Sequence, residues 1–186
     1  MEDKKDLPKY LTLEKKFPCY NAVHKMGSEE GDTIVLVNPR EVAGYMKRIP
    51  PGKLTTIIEI CRSIAGAHKV SGCCSLTTGI FIMTTANAAE EARQIVDRSP
   101  RVQKESAREK GQPAHNSEPA GKDGEDSWLS EIPYWRTLKS GGFLNEKYPG
   151  GAEGQKKQLE GEGFTVLRKG KRFSVDHYED FLIRDL

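Results

Sequence analysis

Ile49-Pro50-Pro51-Gly52-Lys53-Leu54-Thr55-Thr56-Ile57-Ile58-Glu59-Ile60-Cys61-Arg62-Ser63-Ile64-Ala65-Gly66 is the stretch whose reading decides the fold. Thr55 or Thr56 caps a helix with Glu59 in the capping-box position. Ile57, Ile60, Cys61 and Ile64 recur at helical spacing, and Gly66 closes the element. Upstream, Pro50-Pro51-Gly52 ends an earlier helix that Asn38-Pro39 opens and that carries Val42, Tyr45, Met46 and Ile49 on one face. Before that, Thr33-Ile34-Val35-Leu36-Val37 reads as a short strand stopped by Asn38-Pro39. Downstream, a glycine-containing turn leads to a third helix from about Leu76 to Ala92. Two short helices and a turn feeding a third are the ingredients of a helix-turn-helix.

From Arg93 to about Asp126 apolar residues nearly vanish, and the composition predicts a charged, disordered insertion. Apolar residues return at Trp128, and a helix follows over about Ala152 to Glu162, stopped by Gly163. Phe164–Leu167 and Arg172–Val175 read as strands around the turn at Lys169-Gly170, a wing-type hairpin, before a last helix from about Asp176 to Ile183. The sequence thus predicts a mainly α winged helix-turn-helix domain with a small β hairpin. Residues 1–38 form an N-terminal extension with a short strand, 39–92 the helix-turn-helix half, 93–127 the insertion, and 128–186 the second half with wing and C-terminal helix.

A formal charge of +2 neither predicts nor excludes a nucleic-acid partner, so charge placement has to decide. No run approaches the roughly 20 apolar residues of a membrane helix, and the first residues, Met1-Glu2-Asp3-Lys4-Lys5-Asp6, contain no apolar signal region. The expectation is an intracellular, cytoplasmic monomer associated with nucleoid or nuclear DNA. Cys19, Cys61, Cys73 and Cys74 fit a reducing compartment, and their spacing with His68 matches no zinc pattern, so no metal and no cofactor is expected.

Four segments carry a resemblance. Ile49-Pro50-Pro51-Gly52-Lys53-Leu54-Thr55-Thr56 looks like the proline-glycine-lysine turn that opens the helix-turn-helix of the alkylguanine-DNA alkyltransferases. Ile132-Pro133-Tyr134-Trp135-Arg136 falls where that family has Ile-Pro-Cys-His-Arg, and Tyr148-Pro149-Gly150-Gly151 where it has Tyr-Ser-Gly-Gly. Glu162-Gly163 matches the family's Glu-Gly. The resemblance covers roughly residues 40–92 and 128–165 and implies the C-terminal type of that fold.

In that family a helix enters the minor groove, a damaged guanine flips out, and a cysteine prepared by histidine and glutamate takes the alkyl group. The corresponding positions here are Tyr134, Trp135 and Glu162. A phenol is a poor nucleophile and an indole cannot accept a proton, so the resemblance implies no catalytic residue and no methyltransferase activity. The chain is more similar to the alkyltransferase-like proteins, which lack the acceptor cysteine, bind O-alkylated guanine in double-stranded DNA and pass it to repair proteins. Those relatives usually keep the histidine; this chain departs further.

The resemblance places Leu76-Thr77-Thr78-Gly79 at the start of the groove-reading helix, with Leu76 where the family has its intercalating arginine. Ile57 stands where the family has a phosphate-rotating tyrosine. Tyr134 and Tyr148 are the expected base-pocket residues, although Pro149 has no amide hydrogen where the family uses a serine N–H. Arg136, which keeps the family identity, is a candidate DNA contact or a brace for the turn. Lys169, Lys171 and Arg172, with Arg168, are candidate phosphate contacts on the wing. Two other readings stay open. One is a methyltransferase whose acceptor has moved to Cys73 or Cys74; the other is a general winged-helix DNA-binding or interaction module without a lesion pocket.

Overall fold

The computed structural model describes residues 8–98, 128–184 and 186. In chain order its first half holds β1 (Lys9–Thr12), α1 (Tyr20–His24), β2 (Thr33–Leu36), α2 (Pro39–Lys47), β3 (Thr55–Thr56), α3 (Ile57–Ala67), β4 (Gly72–Cys73) and α4 (Ser75–Arg98). The second half holds β5 (Thr137–Leu138), α5 (Gly151–Gly161), β6 (Val166–Lys169) and β7 (Arg172–Val175), with 3-10 turns at Tyr134–Arg136, Ser140–Gly142 and Tyr178–Phe181. The architecture is mainly α with small sheets.

The helix starts follow from capping chemistry. Asn38 Oδ1 accepts the Glu41 N–H at 2.8 Å, and Pro39 occupies the first turn, where no amide hydrogen is needed. Thr56 Oγ1 accepts the Glu59 N–H at 3.4 Å, which makes Thr56 rather than Thr55 the cap of α3. Thr55 and Thr56 also pair in parallel with Thr137 and Leu138, so this capping strand ties the two halves of the chain together.

α2, α3 and α4 pack around Val42, Met46, Ile60, Ile64, Ile82, Ala86 and Ala89, with Ile132, Tyr134 and Tyr148 added from the second half. Met46, Ile60, Ile64 and Ile82 are wholly buried, each worth about 1.5–3 kcal/mol of transfer free energy. A second core, Leu54, Leu138, Leu144, Leu159, Phe164 and Val175, lies under α5 and the hairpin. A third, Leu13, Cys19, Val23, Ile34 and Cys74, holds the N-terminal region.

Several boundaries differ from expectation for physical reasons. The strand predicted near residue 33 is the centre of a three-stranded sheet, antiparallel to β1 and parallel to β4, so residues 1–38 are joined to the helical half by backbone pairing. α4 continues past Ala92 to Arg98 because Ala89 and Ala92 are still buried and its polar side chains find partners. The expected insertion therefore starts inside a helix at its N-terminal end, and its remainder, 99–127, lies outside the described residues. The predicted last helix is instead a 3-10 turn. His177 adopts a left-handed φ of +46°, and the chain then leaves extended, with Leu54 N–H donating to Phe181 O and Ile183 N–H to Leu54 O. The hairpin forms with Lys169 opposite Arg172, and Gly170 supplies the positive φ its two-residue turn requires.

Candidate nucleic-acid interface

α4 grows directly out of β4, so the start of the helix is fixed by the sheet. Thr78 Oγ1 donates to Cys74 O at 2.9 Å and Thr77 Oγ1 to Cys74 Sγ at 3.2 Å, which locks the first turn. Thr78 is fully buried, Thr77 and Gly79 are half-buried, and a Cβ on Gly79 would come within 4.0 Å of Ile57 Cδ1. Leu76 is different: with Ile80 it is more than half exposed, at 52% and 53%. Thr84 and Asn87 continue this face, so Leu76, Ile80, Thr84 and Asn87 form one open stripe at helical spacing. Leu76 is therefore not a core residue, whereas Thr78 is sealed from any groove.

The other end of α4 is closed by the Tyr134–Arg136 turn. Tyr134 is 3% exposed, and its hydroxyl donates to Glu90 Oε2 at 3.0 Å. Tyr148 stands edge-on to its ring at 5.5 Å between centres, and the Tyr148 hydroxyl donates to Thr137 O at 3.1 Å. The Arg93 guanidinium lies 4.5 Å from the Trp135 ring centre and 5.2 Å from that of Tyr134, while donating to Ile132 O. Burial, then the Glu90 hydrogen bond, pushes the Tyr134 phenol well above its ordinary range; burial does the same for Tyr148. Both stay neutral, and neither presents an open ring face for a flipped base. The expected hollow is filled by the side chains that were to line it.

Trp135 and Glu162, which the resemblance assigns to the same site, are in direct contact: Trp135 Nε1 donates to Glu162 Oε1 at 2.7 Å. Arg136 closes a fork on the same carboxylate, through Nε at 2.9 Å and Nη2 at 2.8 Å, and donates through Nη1 to Ile49 O at 2.7 Å. Arg136 is thus the brace rather than a free DNA contact. Gln155, buried in α5, donates to Trp135 O and accepts from Asn145 N–H, fixing the loop that carries Tyr148. Sequence reasoning missed Glu90, Arg93 and Gln155. Arg93 was findable, because it continues the buried stripe Ile82, Ala86, Ala89 at helical spacing.

The hairpin presents Arg168, Lys169, Lys171 and Arg172, all exposed. Arg168 Nε donates to Gly170 O at 3.2 Å, and the Arg172 guanidinium lies 4.1 Å from the Phe143 ring centre. None of the four is ion-paired among the described residues. Cys73 and Cys74 are both buried but belong to different cores, Cys73 to the one that holds Cys61 and Cys74 to the one that holds Cys19.

Comparison with protein-family models, with curated proteins and with solved structures found no match. Among the described residues no helix is long and apolar enough to cross a membrane, and no group of three or more His, Cys, Asp or Glu side chains could hold a metal ion.

Proposed function

We propose that this chain is a non-enzymatic, duplex-DNA-binding protein of alkyltransferase-like type and winged helix-turn-helix form, whose base pocket is occupied by its own aromatic side chains. The observation that carries this reading is the open stripe on α4, where two large apolar residues are left in water at the start of the helix that the resemblance assigns to the minor groove. Exposed apolar side chains of this kind serve as wedges between base steps in minor-groove binders. The unpaired cations of the hairpin supply phosphate contacts, each of which releases counterions from the duplex.

The closed end of α4 supports binding without alkyl transfer. A nucleophile has to be activated by a base or a lowered pKa, and Tyr134 is instead a buried neutral phenol beside an indole. Lesion selectivity is weak in this reading, because an O-alkylated guanine finds the hollow already filled. The relocated-acceptor reading loses ground as well, since Cys73 and Cys74 are both buried.

The test is a fluorescence-anisotropy titration of a labelled duplex over a range of salt concentrations. Binding should weaken with salt, and the double substitution Lys169→Ala with Lys171→Ala should flatten the log–log slope by about 0.9 per lost phosphate contact. Absence of salt-dependent binding, or an unchanged slope in the variant, would overturn the reading.

A further inference from the structure

Three side chains from three elements form one hydrogen-bonded chain: Tyr10 of β1, Glu41 in the first turn of α2, and His68, which caps the end of α3. The Tyr10 hydroxyl lies 3.0 Å from His68 Nδ1, and His68 Nε2 lies 2.7 Å from Glu41 Oε1. A carboxylate can only accept, so Nε2 carries the hydrogen of the neutral ring, Nδ1 is left as a bare acceptor, and the phenol donates to it. The side chains of His68 and Glu41 are 17% and 22% exposed, whereas Tyr10 is 51% exposed. The other five of the six tyrosines are half-buried or buried. The imidazole is carried on a fixed helix end, where the His68 N–H donates to Ile64 O and the chain turns at once through Lys69, at a left-handed φ of +54°. A hydroxyl within reach of a base that a third group orients is the arrangement that activates a weak nucleophile. Tyr20 is an internal contrast: its ring stacks on that of His24 at 5.7 Å between centres, but His24 Nδ1 is engaged by Ser28 O instead.

We infer that Tyr10 is a nucleophilic tyrosine, with His68 as its general base and Glu41 as the positioning residue, and that it takes an acyl group from a small activated ester. Two features select this class of electrophile. The phenol oxygen stands at an open surface, so the ester has to bring a leaving group that departs without a protein acid. The relay carries the negative charge of Glu41, which favours a neutral carbonyl compound over a phosphate anion. In the step itself, Tyr10 Oη bonds to the carbonyl carbon as its proton passes to His68 Nδ1. The tetrahedral adduct then collapses, the bond to the leaving oxygen breaks, and the imidazolium returns the proton to that oxygen. The products are acylated Tyr10, the free alcohol of the ester and neutral His68. Glu41 acts through His68 alone, by holding the ring in the tautomer that leaves Nδ1 open to the phenol. The step is a single self-acylation without turnover, and it does not depend on DNA being the partner.

The experiment treats the folded full chain with p-nitrophenyl acetate for short times and follows released nitrophenolate, intact mass and the acetylated peptides. The first acetyl group should appear on Tyr10, ahead of Tyr20 and of the lysines. His68→Gln should slow Tyr10 acetylation by about a hundredfold, the usual scale of a lost general base. Glu41→Leu, which frees the ring to take the other tautomer, should slow it by about tenfold. Circular dichroism and the urea midpoint of each variant establish that it is folded before its rate is read. The pH profile separates base assistance from a merely structural role. From about pH 7 to about pH 9 the rate in His68→Gln should climb about tenfold per pH unit, as for a phenol that has to ionise first, while the unsubstituted chain changes by no more than about threefold. Acetylation of Tyr20 or a lysine before Tyr10, an unchanged Tyr10 rate in folded His68→Gln, or parallel pH profiles for the two proteins would overturn the proposal.

Discussion

At its start α4 leaves Leu76 and Ile80 more than half exposed, whereas toward its end Glu90 and Arg93 are committed to Tyr134, Trp135 and Ile132. The contrast sets an open face against a closed one on a single helix. A site closed by paired polar groups and interlocked rings can admit a base only by breaking those bonds, and each buried group left unpaired costs about 1–3 kcal/mol. Leu76 and Ile80 gain little from the protein's own interior, and on the proposed reading a duplex is what covers them. One end of α4 is thus open surface, and the other is closed by its own side chains.

The strongest way to break this comparison is to open the closed end. Glu162→Ala strips the acceptor from Trp135 Nε1 and from the Arg136 fork, whose side chain is only 11% exposed. Removing one partner of such a pair should cost about 3 kcal/mol, read as a lower urea midpoint. A change below about 1 kcal/mol would mean that the brace does not hold the site shut. At the open end the prediction is reversed. Leu76→Glu with Ile80→Glu should leave folding stability within about 0.5 kcal/mol, as surface substitutions do, yet weaken duplex binding by about tenfold or more as acidic groups meet the phosphates. Equal affinity for both proteins would remove the stripe from the interface.

Alkali gives a finer probe of the same contrast. Cys19, packed beside Cys74 at the start of α4, has its thiol raised from 9.0 to about 11, so the fold disfavours its thiolate and the unfolded chain does not. The stability this contributes is fully present below pH 9.0, and is lost as pH rises through about 11. Urea midpoints measured across that window should fall more steeply for the unsubstituted chain than for Cys19→Ser. Tyr134, at the closed end, stays protonated there because burial and Glu90 hold its phenol higher still. Parallel curves for the two proteins would contradict this account of Cys19.

Local chemistry made much of the helical half legible. Asn38-Pro39 and Thr56 with Glu59 announce their helices because the caps act within three residues, and Lys169-Gly170 announces its turn because only a few backbone conformations close a hairpin. What stayed hidden is non-local or lacks a period. β3 and β5 pair over two residues each across the whole insertion, too short for any propensity to register. β1 was missed because its four residues are all exposed and show no alternation. α4 was cut short because Glu90 and Arg93 look like surface charge until Tyr134 supplies the partner. The same contact decided the candidate site: the motif Ile132-Pro133-Tyr134-Trp135-Arg136 indicated which residues would meet, while only the packing of Tyr134 against Tyr148 revealed that they meet without a gap for a base.

The most direct measurement pairs two otherwise identical duplexes, one with guanine and one with O-methylated guanine at a single position. Each is titrated against the protein, and the protein's intact mass is then determined. The account predicts equal affinities within a factor of about two, far less than one lost hydrogen bond would give, and no added alkyl mass. A strong preference for the alkylated duplex, or a methyl group recovered on any cysteine, would contradict it.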